Sequence, residues 1–252
     1  MFFIIANFTF SGVIAVVGIL TLTKVSKPNE VLFASLPLLF ALHQFTQGIV
    51  WLGLYDLTSP GTLHVAETIF VFYAQAALPF LVPLAIWLQE PKSTQRNLMA
   101  MLVIFGGLLM LYVTWGLTVE PTSVSIEHHA LVYSNPSTSH LRIALAYIVT
   151  TCGPLLLSRS AAIQLFGWLN VLGLVAVYMI AQYAFTSLWC LYAAIVSCVL
   201  YLHFIERRIA FLQALKREES FLGAELEEEL QKLIGRYPRI RKVFHRHVEP
   251  KA

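Results

Sequence analysis

Midway along the apolar stretch Val31 to Leu54, VLFASLPLLFALHQFTQGIVWLGL, stand His43, Gln44, Thr46 and Gln47. His43, Gln47 and Trp51 follow one another at helical turns and share a face. A histidine at mid-membrane depth could bind a metal, relay a proton or hydrogen-bond a ligand. More often such a residue is satisfied by a neighbouring Gln, Thr or carbonyl. Further along, His64 and Glu67 are three residues apart on one helix face, with Gln75 two turns deeper. His128, His129, His140 and Arg142 follow the long polar connection or lie in it. Histidine and glutamate are the ligands that zinc and other borderline metals take, three or four at a time with one position open for catalysis. A single His-x-x-Glu pair is also an ordinary feature of helix ends at an interface.

The elements that must carry these residues are membrane spans. About 20 helical residues cross the ~30 Å hydrocarbon core, and the stretch 31–54 is long enough. Charged residues make up 12% of the 252 residues and apolar ones 58%, with a mean hydropathy of +0.71. Soluble domains average about 25% charged. Seven apolar segments fit the chain: Phe3–Leu22, Val31–Leu54, His64–Leu88, Asn97–Leu117, His140–Leu157, Ile163–Tyr183 and Ser187–Ile205. The opening MFFIIANFTFSG has no basic region and the run no small-residue cleavage site, so we expect a retained first span. Pro79 and Pro83 predict a kink in the third span. Gly106-Gly107 predicts a close helix approach in the fourth. Within the connection 118–139, SIEHHALVYS has the alternation of a short hairpin over the bundle mouth.

Lys24, Lys27, Lys92, Arg96 and Arg159 fall in alternate connections, and only Arg142 falls on the other side. By the positive-inside rule the N-terminus is outside and the C-terminus cytoplasmic. Eleven of the 17 Lys and Arg follow Glu206, giving a basic cytoplasmic tail rather than a nucleic-acid surface. The expected class is therefore all-α: a seven-transmembrane helix bundle, residues 1–206, with a cytoplasmic amphipathic helical tail, residues 207–252. The tail's apolar stripe, Leu222, Leu226, Leu230, Leu233 and Tyr237, would end at Pro238 and could meet anionic lipid or a protein partner.

The segments FASLPLLFALHQFTQGIVWLGL, HHALVY and FTSLWCLYAAIVSCVLYLHF together resemble a bacterial family of multi-pass membrane proteins catalogued as a domain of unknown function. The resemblance implies the fold and a bacterial inner-membrane location, and it implies no activity. Retinal proteins need a lysine in the last span, and none lies between Lys92 and Lys216. There is no Walker loop, G-x-S-x-G, Cys-x-x-Cys or His-Glu-x-x-His.

The leading functional expectation is a non-catalytic sensor or binding module for a small ligand. Its outward-facing pocket would be lined by His43, Gln47, Trp51, Glu67, Gln75 and Arg142, with Arg142 as the natural partner of Glu67. The rival is a metal-dependent membrane hydrolase using His64, Glu67, His128, His129 and His140. A third alternative is an accessory subunit of a larger membrane complex. No cofactor is specified by any motif.

Overall fold

The structure is a computed structural model, and it describes residues 2–138 and 140–236. Two compact units divide the chain, Met1–Ile205 and Glu206–Ala252. Twelve elements of the first unit matter here, all but two of them helices. They are α1 (Phe2–Leu22), α2 (Val31–Ala34), α3 (Leu36–Leu54), α4 (Pro60–Val71), α5 (Leu78–Gln89), α6 (Thr94–Val119), strands β1 (Ser123–Glu127) and β2 (Ala130–Ser134), α7 (Leu141–Leu157), α8 (Ala161–Ala181), α9 (Phe185–Ser197) and the start of α10 (Val199–Arg236). In the second unit α10 continues to Arg236. The side chains of the expected stripe at Leu222, Leu226, Leu230 and Leu233, together with Tyr237 and the stop at Pro238, lie outside the described residues.

Among the described residues, five helical stretches are long and apolar enough to cross a membrane: Phe2–Leu22, Pro28–Leu54, Pro60–Gln89, Thr94–Val119 and Ala161–Arg217. Leu141–Leu157 is apolar but shorter. The stretch 161–217 is no single rod. It turns at Gln182–Ala184, and α9 packs back along α8. There the Tyr192 hydroxyl donates to the Leu169 carbonyl at 2.7 Å, and Gly173 leaves room for the Tyr192 ring, which a Cβ would meet at 2.0 Å.

Proline chemistry shapes two of the rods. Pro37 has no N–H for the carbonyl one turn back, and the helix breaks between α2 and α3 at Ser35, whose hydroxyl bonds the Leu32 carbonyl. Between α4 and α5, residues Phe72–Ala77 widen into a π-helical turn just ahead of Pro79. Pro83 likewise cannot serve the carbonyl of Pro79. That carbonyl faces Gly106 of α6, where a Cβ would stand only 1.9 Å from it. The expected close approach thus exists because a freed backbone oxygen is packed against a residue without a side chain.

The expected hairpin forms, with β1 and β2 antiparallel and Glu127 paired to Ala130 across a two-residue turn. His128 and His129 occupy that turn with φ of 46° and 66°, the left-handed conformation a type I′ turn demands and Gly or Asn usually supplies. β2 is more than a cover. Leu131 is fully buried in a cluster with Ile4, Val50, Trp51 and Ala66, so the strand plugs one end of the bundle. A larger apolar core, including Phe33, Leu36, Phe40, Ile86, Met99, Phe166 and Phe204, fills the other half. The outward faces of α1, α6 and α8 show Ile5, Val16, Met101, Leu108, Leu172 and Ile180, the exposed apolar surface that lipid would cover.

Candidate functional site

His43 projects from α3 into a column of rings that starts in the hairpin. Tyr133 of β2 stacks on Phe70 at 4.3 Å, and Phe70 stacks on His43 at 4.0 Å. Tyr73 follows at 4.6 Å, with Phe40 edge-on beneath it at 6.0 Å. His43 is buried, and among the described residues neither ring nitrogen has a hydrogen-bond partner. The Tyr73 and Tyr133 hydroxyls are in the same state. Burial pushes the Tyr133 phenol well above the usual tyrosine range, and Cys190 and Glu67 nearby push it the same way. One turn along α3, the Gln47 amide donates to Ser187 Oγ and leaves its own oxygen unpaired. Trp51, a turn further, stacks on Phe3 and Tyr55 and closes the end of the bundle.

A cleft opens beside this column. α7 packs on α5, α6 and α8, whereas α9 packs on α3 and α8. The space left where α7 and α9 face each other holds a cavity of about 320 Å³. The π-helical turn supplies Gln75, α7 supplies Tyr147, and α9 supplies Phe185, Thr186, Trp189 and Cys190. Gln75 Nε2 donates to Thr186 Oγ1 at 3.4 Å, and its Oε1 has no partner. Trp189 is 5% exposed, and its indole N–H is also unpaired among the described residues. Buried polar atoms normally find a partner; these two are out of reach of a water molecule and have none among the described residues. π-turns recur at such places because the extra residue re-aims a side chain.

A family model covers residues 2–215, all but the last residues of the chain. The chain belongs to the family of unknown function DUF6629. That match bears out the resemblance carried by the second and last spans and the long loop. No curated protein matches the chain, and no solved structure does either. Membership in DUF6629 therefore gives this site kinship without a described chemistry.

The six residues expected to line one pocket are spread over several places in the bundle. Only Gln75 reaches the cleft. His43 and Gln47 are buried in the column, and Trp51 in the end wall. Glu67 pairs with His64 Nδ1 at 3.0 Å, while Arg142 is exposed and lines a separate surface hollow with His140 and Tyr112. Among the described residues no ion pair joins Glu67 to Arg142. The helical register that places Glu67 inward on α4 turns Arg142 outward at the start of α7. Nor do the proposed metal ligands gather. His64 and Glu67 meet, but His128 and His129 are spent in the hairpin turn, His128 tilted against Tyr183 and His129 stacked on Phe3. Among the described residues no three His, Cys, Asp or Glu side chains could share a metal ion.

Two carboxylates escaped notice in the sequence. Glu30 is buried and accepts the backbone N–H groups of Ser26 and Lys27. Glu90, 5% exposed, accepts from Ser158 Oγ at 3.2 Å and from the Arg159 N–H at 3.3 Å, with Arg159 Nε 3.9 Å away. Both sit in short connections beside basic residues, where a carboxylate reads as ordinary solvated charge. Trp189 and Tyr133 were also missed, because an aromatic in an apolar run carries no sign of an unpaired polar tip.

Proposed function

We propose that this DUF6629 chain is a non-catalytic, multi-pass membrane protein that binds a small molecule in the cleft between α7 and α9. The observation that carries the reading is that cleft of about 320 Å³, lined by Gln75, Tyr147, Thr186 and Trp189 among apolar neighbours. Ligand sites are mostly apolar hollows with a few placed polar atoms, and this one fits that description. The rods 2–22, 31–54, 60–89, 94–119, 141–157, 161–181 and 185–205 then make seven crossings. Lys24, Lys27, Lys92, Arg96 and Arg159 fall in connections away from the hairpin, which favours an outside N-terminus and a cytoplasmic C-terminal unit in a bacterial inner membrane. The basic C-terminal unit would pass the signal on, to anionic lipid or a protein partner.

Native mass spectrometry of the purified full chain tests the reading. The wild type is expected to retain or take up a small non-lipid molecule that the double variant Gln75→Leu, Trp189→Phe does not. Equal occupancy in a folded double variant would place the molecule elsewhere and end the proposal.

A further inference from the structure

A second recess, of about 590 Å³, opens on the surface where the hairpin-side half of α6 meets the first turn of α7. It shares only Ile143 with the lining of the α7–α9 cleft. We propose that this recess holds one phospholipid by its phosphate, with Arg142 as the anchor. The step rests on the membrane-spanning part of the reading above and is independent of what the cleft takes.

The lining carries one sign of charge. α6 supplies Tyr112, and the start of α7 supplies His140 and Arg142. Among the described residues no Asp or Glu borders the recess. Arg142 is exposed, and its planar guanidinium offers a fork of N–H donors that matches two oxygens of a phosphate. The N-terminus of α7 adds the positive end of a helix dipole at the same spot. His140, at the N-cap, makes no side-chain capping bond. The Tyr112 ring has the amphipathic character that suits the headgroup level.

Depth is the reason the phosphate belongs to a lipid. α6 has 26 residues and α7 has 17, about 39 Å and about 26 Å of helix against a hydrocarbon core of ~30 Å. Tyr112 lies roughly two turns, or about 10 Å, before the end of α6 at Val119. Arg142 shares the recess with it, so the shorter span begins at the hydrocarbon boundary and not out in the aqueous layer. A cation at that level is costly alone, and the anions nearest to it are lipid phosphates.

The surface below suits the rest of the lipid. Down α7, Leu145 and Val149 follow Arg142 at helical spacing; down α6, Leu108 and Phe105 follow Tyr112 in the same way. All four are exposed. α6 and α7 pack together, so acyl chains descending from the bound phosphate meet apolar side chains of both helices.

Native mass spectrometry of the full chain released from nanodiscs tests the site. The probes are dioleoylphosphatidylglycerol and dioleoylglycerol, which has the same chains without the phosphate. Basic residues elsewhere also attract anionic lipid, so the quantity read is the one lipid that Arg142→Gln loses. Wild type should hold that phosphatidylglycerol about tenfold or more tightly than Arg142→Gln, the worth of a charge-assisted hydrogen bond. Arg142→Lys, which keeps the charge, should keep the lipid, and dioleoylglycerol should not distinguish wild type from Arg142→Gln. Equal phosphatidylglycerol counts in wild type and Arg142→Gln would overturn the proposal. Loss in Arg142→Lys as well would trace the effect to the packing of α7 and overturn it too. Displacement of the lipid by excess inorganic phosphate would assign the recess to a soluble anion instead. The two probes on wild type need no variant, and equal uptake of both would end the phosphate reading. Occupancy of the cleft is read from Gln75 and Trp189, so either proposal can fail without the other.

Discussion

Glu90 and Gln44 are both polar, both almost wholly buried in one bundle, and treated in opposite ways. Glu90 lies in the α5–α6 connection and is bonded by Ser158 and Arg159 across the bundle end. Close by, Arg96 donates to the Glu90 carbonyl and lies over the Trp87 ring. Asn29 donates to the Leu88 carbonyl. That end is a closed network in which charge ties connections together. Gln44, in the middle of α3, has no partner at either amide atom among the described residues. On the hairpin side His43, Tyr73, Tyr133 and Trp189 likewise have unpaired buried polar atoms among the described residues, and Gln75 has one at its Oε1. Polar groups at the bundle end are bonded to one another, whereas these mid-bundle groups have no partner among the described residues.

The comparison can be broken most sharply at Glu90. Glu90→Ala removes the acceptor of one buried and one part-buried donor and should cost about 3 kcal/mol of stability in an SDS unfolding titration, since bonds to a charged acceptor are worth roughly 1.5–3 kcal/mol. Glu90→Gln, which keeps an oxygen in place, should recover much of it. A stability unchanged in Glu90→Ala would mean the network is ornamental and the contrast false.

Gln44→Leu probes the opposite pole. Replacing an unpaired buried amide by an apolar group of similar size should be neutral or stabilise by about 1 kcal/mol. A loss of more than that would reveal a bonded partner, most simply resident water, and Gln44 would move to the structural side. Gln47 stands between the poles because one of its amide atoms is bonded to Ser187 and the other is open. Gln47→Leu should cost about 1 kcal/mol, the net worth of a single neutral hydrogen bond. Finding the same value for Gln44 and Gln47 would erase the gradient.

How far these roles could be read from residues alone differs between the poles. The rods were legible from apolar length, the hairpin from SIEHHALVYS and the close approach at Gly106 from its glycine pair. Those signals are local, carried by a period or a residue type. The site was legible only as a population of inward polar side chains. His43, Gln47 and Gln75 were expected to be interior, and they are. Which of them share a cavity depends on how α7 and α9 splay apart, a tertiary matter without any periodic signature. Arg142 was misassigned for the same reason. Its height along the bundle suggested Glu67, but its direction around α7 is set by packing on α5, α6 and α8. Glu90 was invisible because burial came from folding the connection, not from its sequence neighbours.

The smallest test bears on whether the open side is meant to stay closed from above. His128 and His129 hold left-handed backbone in the hairpin turn, a conformation that costs a non-glycine residue of order 1 kcal/mol or more. Their rings offset part of that, His128 packing tilted against Tyr183 and His129 stacking on Phe3. Asn and Gly suit the same turn without strain. The double substitution His128→Asn, His129→Gly should therefore change global stability by no more than about 0.5 kcal/mol, relief of strain offsetting lost stacking. What it should change is local. Without the two ring contacts the hairpin tip loses its hold on α1 and on the α8–α9 turn, and amide exchange in residues 123–134 should quicken while exchange in α3 stays slow. The plug and the column beneath it would then be separable, with Leu131 and Tyr133 seated by their own burial. If exchange in α3 quickens equally, the Tyr133–Phe70–His43 stack is held from the tip, and the open polar side depends on two histidines at its rim.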